Sequence, residues 1–447
     1  MKIQDAVYDV IGIGFGPSNL ALAIALDDVG RQRGAACTCH FIERQAEFTW
    51  HGGMLLPDSD MQISFLKDLV SLRDPTSPFT FVSYLHEKGR LEAFINQKTF
   101  FPSRIEFNDY LGWAAARFDS CCSYGEDVVA VEPEAAQGVV TALRVRSRTA
   151  SGAEMVRRAR NLVVATGGTP RIPAIFTRLA CDARVFHSSR YLDRIDELGL
   201  GNLPGARVAV IGGGQSAAEI TLDLHGRFPE AKIDLVFRGH VLKPADDTPF
   251  VNEIFNPGFT DYVFGQAEAR RDAIIREFRN TNYAVVDADL IERIYAILYQ
   301  EKVRRRSRLT LSGRAEVTQA SPGGDGVELM VADGIAGTAG PRRYDAVVLA
   351  TGYDRDGARR LLAGLGGHVE DAEIGRDYRL RTRPGFRPQI HLQGTSESSH
   401  GLSDTLLSVL AVRSHEIADS LFAAKALRDM ADRPDIGPPQ RVAVNDD

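Results

Sequence analysis

The sequence predicts an α/β protein built from two similar nucleotide-binding units. A strand-like apolar run, a glycine-rich turn and a helix-like stretch follow one another twice, with one turn beginning at Gly12 and the other at Gly212. In such a turn the glycines allow a tight reversal, and backbone N–H groups approach a pyrophosphate at the helix N-terminus. One turn of this kind is a weak signal, because many strand-to-helix turns need glycine. Two of them indicate two Rossmann-like domains, most simply one for a flavin and one for the nicotinamide that reduces it.

The first unit begins with a strand over residues 7–11 and continues into a helix over 19–29. The turn between them contains the fingerprint residues Gly12, Gly14, Gly16 and Pro17. A second strand over 37–42 ends at Glu43, where this fold places the carboxylate that holds a ribose hydroxyl pair. A surface glutamate without a ligand is the alternative interpretation.

The second unit repeats this order and differs in the residue that ends its second strand. Strand 207–211 leads into a turn that contains Gly212, Gly214, Gln215 and Ser216. Strand 232–237 ends in Arg238, where NAD enzymes carry an acidic residue. A guanidinium there suits the 2′-phosphate of NADPH, and the Ser216 hydroxyl could donate to the same phosphate. A solvated arginine at a strand end is the alternative.

Two further apolar strands end in Ala-Thr-Gly, at 165–167 and 350–352. Such strands are typical of flavoproteins with two dinucleotide domains, where the chain passes between domains beside the flavin. Two helices are predicted over 266–279 and 288–300, with a polar loop between them that suits a polar substrate. The predicted limits are 1–200 and 343–431 for a discontinuous FAD domain, 201–342 for an NADPH domain, 243–305 for a mostly helical substrate-binding insert within it, and 432–447 for a disordered tail.

The composition is that of an ordinary globular protein. The 447 residues, 44% hydrophobic, have room for two or three domains. A net charge of −6 without a long basic run argues against nucleic acid as a partner. Glycines and polar residues interrupt the N-terminal apolar stretch, so we expect neither a signal peptide nor a membrane span. The five cysteines have no repeating frame, which favours a reduced, cytoplasmic location.

Several short blocks outside the glycine-rich turns resemble the microbial flavin-dependent N-hydroxylating monooxygenases. The blocks are Trp50-His51, 61–69, 101–104, 246–250, 280–283 and 400–404. The resemblance covers about residues 5–425, is highest to the L-ornithine N5-monooxygenases of hydroxamate siderophore biosynthesis, and includes Pro17 in place of the third fingerprint glycine. It implies that FAD, NADPH and O₂ convert L-ornithine to N5-hydroxyornithine through a flavin C4a-hydroperoxide. It also implies a homo-oligomer, because relatives often form tetramers.

The resemblance also implies roles for individual residues. Lys67 would pair with the α-carboxylate of the substrate, and the other substrate-binding residues would be Asn252, Asn282 and Ser408. The catalytic residues would be Gln62, near the reactive edge of the flavin, Arg104, near the nicotinamide and substrate, and Asn282. The cofactor-binding residues would be the fingerprint residues above, Glu43, Trp50, His51, Gln62, Arg238, Thr281, Tyr283 and Asp404.

Other interpretations remain open at this point. An L-lysine N6-monooxygenase differs in its substrate by one methylene, which a binding pocket discriminates by only about 1–3 kcal/mol. Flavin monooxygenases of xenobiotics carry a Phe-x-Gly-x-x-x-His motif, which the segment 186–191 lacks. A regulator that senses NADP would need only one glycine-rich turn. Asn282 could instead cap a helix that begins near Val286. The histidines and cysteines show no spacing that predicts a metal site.

Overall fold

The computed structural model describes residues 2–431, with side chains for 6–369 and 373–429. The tail predicted to be disordered, 432–447, lies outside the described residues. In chain order the strands are β1 (Lys2–Ile13), β2 (Cys39–Ile42), β3 (Cys122–Ser123), β4 (Glu126–Ala136), β5 (Val139–Thr149), β6 (Glu154–Val164), β7 (Thr169–Pro170), β8 (Val185–His187), β9 (Arg207–Ile211), β10 (Lys232–Val236), β11 (Leu309–Ser312), β12 (Ala315–Gly323), β13 (Gly326–Asp333), β14 (Thr338–Tyr344), β15 (Ala346–Leu349), β16 (Tyr353–Asp354), β17 (Val369–Ile374), β18 (Leu380–Thr382) and β19 (Gln389–Leu392). The α-helices are α1 (Pro17–Arg33), α2 (Phe81–Glu87), α3 (Leu91–Gln97), α4 (Arg104–Ala115), α5 (Tyr191–Glu197), α6 (Gln215–Arg227), α7 (Pro249–Asn252), α8 (Pro257–Phe264), α9 (Glu268–Phe278), α10 (Ala288–Val303), α11 (Gly357–Leu362), α12 (Glu397–His400) and α13 (Leu410–Ala431).

The first sheet carries the first glycine-rich turn. Its strand order is β3-β2-β1-β6-β5-β4, and β19 pairs with the carboxyl end of β6. Strands β2, β1, β6 and β19 run parallel, whereas β4 and β5 are antiparallel additions. Helix α1 is apolar on all sides from Leu20 to Leu26, where each residue is at most 3% exposed. Such a helix is stable only when it is covered on more than one face, and α13 packs against it within the same hydrophobic core.

The second sheet is entirely parallel, with the order β11-β10-β9-β15-β8. Helices α6 and α10 cover one face of this sheet. The antiparallel strands β12, β13 and β14 cover the other face. The sequence-predicted limits of this unit were 201–342, but β8 and β15 lie outside those limits and complete the sheet. The local sequence pattern could not reveal that β8 and β15 belong to this sheet, because strand order depends on pairing between distant segments.

The helical region between β10 and β11 has two parts. Helix α10 buries Leu290 and Ile294 in the core that it shares with α6, so it is the crossover helix of the second unit. The preceding helices α7, α8 and α9 form the insert proper, which is shorter than the predicted 243–305. The helix predicted over 266–279 is present as α9, and the insert also contains α7 and α8, which were not among the predicted helices. The α/β class with two Rossmann-like units and a helical insert is confirmed.

Among the described residues, no helix is both long enough and apolar enough to cross a membrane.

Candidate active site

The first glycine-rich turn has the geometry of a phosphate-binding loop. A Cβ at Gly14, whose φ is +84°, would lie 2.5 Å from the carbonyl oxygen of Ala165. A Cβ at Gly16 would meet no atom within 4 Å, because this residue borders open space at the start of α1. Pro17 is the first residue of α1, a position where no N–H is needed. The N-terminus of α1 is therefore open to an anion.

Glu43 is held beside this turn. Its carboxylate accepts hydrogen bonds from the backbone N–H groups of Phe15, at 2.7 Å, and Gln45, at 2.9 Å. The side chain is buried, so it borders the turn rather than bulk solvent. This is the place from which an acidic residue reaches a ribose in the fold.

Buried hydroxyl groups at the carboxyl ends of β6 and β19 support a flavin site in this crevice. The hydroxyls of Thr166, Thr395 and Ser396 are buried and have no hydrogen-bond partner in the described part of the chain. Buried polar groups are normally hydrogen-bonded. Ligands of open α/β sheets bind outside the carboxyl ends of the strands. The open helix terminus, the placed carboxylate and these hydroxyls together fit FAD.

Trp50 and His51 line the junction between the two units. The backbone N–H of Trp50 donates to Oδ1 of Asn108 at 2.7 Å, and its indole meets the imidazole of His51 edge to face at 4.8 Å. The His51 ring also lies 6.3 Å from the ring of Tyr353, which follows the second Ala-Thr-Gly segment. The surrounding protein and the charges of Arg104 and Arg355 lower the pKa of His51 to about 4. The residue as a whole is exposed, so His51 is accessible at this junction.

The second glycine-rich turn is equally constrained. A Cβ at Gly212, whose φ is +151°, would lie 2.2 Å from the carbonyl oxygen of Ala350. Gly214 precedes α6, and Gln215 and Ser216 open the helix. Arg238 follows β10 and is exposed. Within residues 2–431 neither the Ser216 hydroxyl nor the Arg238 guanidinium has a recorded side-chain partner, so both are available to a phosphate.

A polar network joins the two units. Arg104 forms a two-point ion pair with Glu219, at 2.7 and 2.9 Å, and also donates to the carbonyl of Met54 at 3.1 Å. Gln215 donates to Glu219 at 3.0 Å and to Asp287 at 2.9 Å. Gln62 donates to Asp287 at 2.9 Å. Arg104 was expected near nicotinamide and substrate, but its terminal nitrogens are occupied by protein partners.

Sequence reasoning missed Glu219 and Asp287. The one available signal for Glu219 was its position four residues after Gln215, where it is an acidic side chain on the apolar face of α6. Asp287 carried no signal beyond its place just before a predicted helix.

The predicted substrate-binding side chains are largely unpartnered. Lys67 is half-buried, burial lowers its pKa, and its ammonium has no partner in the described part of the chain. Asn282 also lacks a side-chain partner there, and α10 begins only at Ala288, so Asn282 does not cap it. The Ser408 hydroxyl is buried and has no hydrogen-bond partner among the described residues. Asn252 donates from Nδ2 to the carbonyl of Asp247 at 2.7 Å, and within residues 2–431 its amide oxygen accepts no hydrogen bond.

Hydrophobic packing brings the segments that carry these residues together. The helical insert docks onto the segment 402–406 through Ile254, Phe255 and Leu402. Val251, Tyr283 and Leu406, each within two residues of a predicted substrate-binding residue, pack on the same cluster. Leu407 packs on the large core together with Ile63 and Phe65.

The remaining predicted cofactor residues have protein partners. The hydroxyl of Thr281 donates to the carbonyl of Phe278 at 2.6 Å, and that of Tyr283 donates to Glu397 at 2.5 Å. Asp404 is 1% exposed; one carboxylate oxygen accepts from the backbone N–H of Ser396 at 2.6 Å, and the other accepts from Arg413 at 3.0 Å. Asp404 therefore anchors the segment after β19 and presents no open carboxylate to a ligand. Among the described residues, no group of histidine, cysteine and acidic side chains could hold a metal ion.

Comparisons with known proteins agree with this geometry. Residues 6–355 match the L-lysine 6-monooxygenase/L-ornithine 5-monooxygenase family. The L-ornithine N(5)-monooxygenase of Pseudomonas aeruginosa is 50% identical over 432 residues, which cover 95% of this chain and 97% of that protein.

Two solved structures are similar along the whole fold. An ornithine hydroxylase from Pseudomonas aeruginosa has a TM-score of 0.90 at 50% identity, covering 94% of this chain and 100% of that chain. An ornithine N-hydroxylase from Kutzneria sp. 744, solved with reduced FAD, NADP⁺ and L-ornithine, has a TM-score of 0.88 at 42% identity, with coverages of 94% and 100%. The chain belongs to the L-lysine 6-monooxygenase/L-ornithine 5-monooxygenase family.

Proposed function

We propose that this chain is an L-ornithine N5-monooxygenase, which uses FAD, NADPH and O₂ to make N5-hydroxy-L-ornithine for hydroxamate siderophores. The similarity to ornithine enzymes along almost the entire chain supports the reaction. The observation that supports an amino acid as the substrate is Lys67, a half-buried ammonium with no partner among the described residues. A buried charge normally requires a counter-ion, and the α-carboxylate of an amino acid is such a counter-ion.

In this proposal the two units divide the cofactors between them. The first sheet holds FAD, with its pyrophosphate at the open N-terminus of α1 and its ribose at Glu43. The second sheet holds NADPH, whose 2′-phosphate binds Ser216 and Arg238. Its domain extends from β8 to β15, beyond the limits 201–342 that local pattern predicted. FAD, when bound and reduced by NADPH, supplies the activated oxygen.

The protein then acts by binding and orienting the substrate. Lys67 and the amide of Asn252 hold the carboxylate end, and Asn282 holds the backbone of the amino acid. The reacting amine lies near Ser408, whose buried hydroxyl lacks another partner. An alkylammonium has a pKa of about 10.4 in water, and it must lose a proton before its nitrogen can attack. Burial lowers that pKa, so amide and hydroxyl groups suffice and no strong base is required.

The test is product formation by the FAD-loaded protein with NADPH and O₂. Hydroxylamine, H₂O₂ and NADPH loss are measured together, with L-ornithine and L-lysine as alternative substrates and NADH as alternative reductant. We expect hydroxylated ornithine in proportion to the NADPH consumed, and little product from lysine. Preferential hydroxylation of lysine would instead assign the lysine branch of the family. NADPH loss that yields only H₂O₂ with both amino acids would contradict the proposed substrate pocket.

By resemblance we also propose a homo-oligomer, a tetramer, for which light scattering of the purified protein is the direct measurement. A monomeric mass at working concentration would refute that assignment.

A further inference from the structure

A single carboxylate joins glutamine side chains from the two units. The Nε2 of Gln62 donates to Oδ1 of Asp287, and the Nε2 of Gln215 donates to Oδ2 of Asp287, each at 2.9 Å. The backbone N–H of Asp287 donates in return to Oε1 of Gln215 at 2.9 Å. Gln215 is the first residue of α6, directly after the second glycine-rich turn, whereas Gln62 lies between β2 and α2. Asp287 is therefore hydrogen-bonded to both units.

This arrangement sets the orientation of the Gln62 amide. An ionised carboxylate only accepts hydrogen bonds, so both glutamines must turn their NH₂ groups towards it. The amide of Gln215 is fixed at both ends, because Asp287 also donates to its oxygen. The oxygen of Gln62 has no donor among residues 2–431. This oxygen is therefore available to a ligand.

The Asp287 carboxylate does not cap the helix that it precedes. Asp287 immediately precedes α10, where an aspartate usually accepts from N–H groups of the first turn. Its side chain makes no such bond. Burial raises the pKa of Asp287, the Gln62 hydrogen bond opposes this rise, and the charges of Asp289 and Glu219 add to it. A carboxylate kept in an unfavourable environment without a capping bond points to a role at the site rather than in stability.

We propose that Asp287 is a positioning residue, which holds the Gln62 amide with its oxygen towards the flavin site and couples it to Gln215 at the start of the NADPH-binding helix. This inference rests on the proposed function, because it assigns FAD and NADPH to the two units. It follows that NADP⁺ binding depends on Gln62 although Gln62 belongs to the FAD unit. Without Asp287 this dependence disappears, and a larger fraction of the consumed NADPH yields H₂O₂ instead of hydroxylated product.

The test is a mutant cycle on NADP⁺ affinity, measured by calorimetry on the FAD-loaded protein. Gln62→Ala, Gln215→Ala and the double variant are compared with Asp287 present and in an Asp287→Ala background. With Asp287 present, we expect Gln62→Ala to weaken NADP⁺ binding about tenfold, the effect of losing a hydrogen bond to a charged group. In the Asp287→Ala background, Gln62→Ala should change the NADP⁺ affinity by less than about twofold, which is the usual error of additivity. An equal effect of Gln62→Ala in both backgrounds would overturn the proposal.

Two further variants control for the possibility that Asp287→Ala misfolds. Asp287→Asn keeps the size of the side chain but replaces one acceptor by a donor, so one glutamine must lose or reverse its amide. We expect it to weaken NADP⁺ binding and to raise the ratio of H₂O₂ to NADPH, with FAD absorbance unchanged. If Asp287→Ala does not bind FAD, Asp287→Asn provides the second background. Glu292→Gln removes an exposed carboxylate on the same helix, which has no hydrogen bond among the described residues, and should change neither quantity.

The outcomes separate this inference from the proposed function. Failure of the unmodified FAD-loaded protein to bind NADP⁺ would refute the assignment of the second unit to NADPH. Normal NADP⁺ binding with additive effects in the cycle would refute only the positioning role of Asp287.

Discussion

The ammonium of Lys67 is the one charged group among the proposed substrate-binding side chains. It is half-buried, burial lowers its pKa, and the described residues offer it no counter-ion. Removal of an unpaired cation of this kind leaves no other protein charge unsatisfied. An effect of its removal on function can therefore be separated from an effect on folding.

Lys67→Ala should raise the KM for L-ornithine by tenfold or more, since a hydrogen bond to a charged group contributes about 1.5–3 kcal/mol. kcat should change less, because the carboxylate is held equally in the ground and transition states. Steady-state formation of hydroxylated product at varied ornithine checks this. Lys302→Ala, at an exposed position on α10, is the matched control. An unchanged KM in Lys67→Ala would place the carboxylate elsewhere.

At the scale of the elements, the glycine-rich turns and the strands that flank them determine where ligands can bind. Gly14 and Gly212 each lie so close to a carbonyl of a neighbouring strand segment that no side chain fits there. Gly16, by contrast, borders open space at the N-terminus of α1. A side chain at Gly16 would therefore disturb a bound pyrophosphate and leave the protein itself unaffected.

Gly16→Ala should fold normally and lose FAD. The backbone at Gly16, with φ −78° and ψ −171°, is accessible to alanine, but the added methyl would occupy the space assigned to the pyrophosphate. The ratio of absorbance at the flavin band to protein absorbance, together with far-UV circular dichroism, measures both properties. Gly226→Ala likewise adds a methyl that meets no atom within 4 Å, and should retain FAD. Full flavin content in Gly16→Ala would argue against the assigned phosphate position.

The buried ion pair between β4 and β6 should make the stability of the first unit depend on pH. The side chains of Glu126 and Arg157 are each 5% exposed and lie 2.6 Å apart. Burial alone would raise the pKa of Glu126, but the hydrogen bonds from Arg157 and Ser147 and the charge of Arg157 outweigh it and hold the pKa below its ordinary value. A lowered native-state pKa stabilises the fold above the unfolded-state pKa, near 4.3. That stabilisation is lost as the pH falls through the lower native value.

Glu126→Gln should lower the free energy of unfolding of this unit by about 3–5 kcal/mol at pH 7, because the Arg157 charge remains buried without its partner. The variant should also lose less stability than the unmodified protein on acidification below about pH 5. Urea unfolding followed at several pH values measures both effects. Glu316→Gln, on an exposed strand position, is the control. Parallel pH profiles for the two proteins would contradict the assigned role of the pair.

At the scale of the whole molecule, four sets of polar contacts join the units and the insert. The Arg104–Glu219 ion pair and the Asp287 hydrogen bonds connect the two sheets. Tyr283 donates to Glu397, and Arg376 pairs with Asp261 at 2.6 Å, which attaches the insert to the C-terminal part of the first unit. Cofactor binding in the crevice should therefore stabilise more than the unit that holds it.

Removal of FAD should lower the midpoint of thermal unfolding, and FAD added back at about a hundred times its Kd should restore about 2.7 kcal/mol. Differential scanning calorimetry of the apo and reloaded protein measures this. Riboflavin has the same ring system but no pyrophosphate, so it cannot use the N-terminus of α1 and should restore much less. Equal stabilisation by riboflavin and FAD would show that the glycine-rich turn does not bind the dinucleotide.

Much of the fold was predictable because its signals are local. Glycine spacing, the polarity of the residue that ends each second strand, and the helical periodicity depend only on neighbours in the sequence. Two features depended on distant segments and were not predictable in this way. Strands β8 and β15 join the second sheet, and α10 belongs to that unit rather than to the insert.

The sequence by itself determined the α/β class, the two glycine-rich turns and the resemblance that names candidate residues, because those depend on residue type and spacing. Only the tertiary structure decided which of these side chains remain open to a ligand. Lys67, Ser216 and Arg238 have no side-chain partner in the part of the chain that the structure describes, whereas Arg104, Gln215 and Asp404 are held by Glu219, Asp287 and Arg413. Those partners lie on other elements of the fold, and the availability of a side chain is set by the groups that folding places around it.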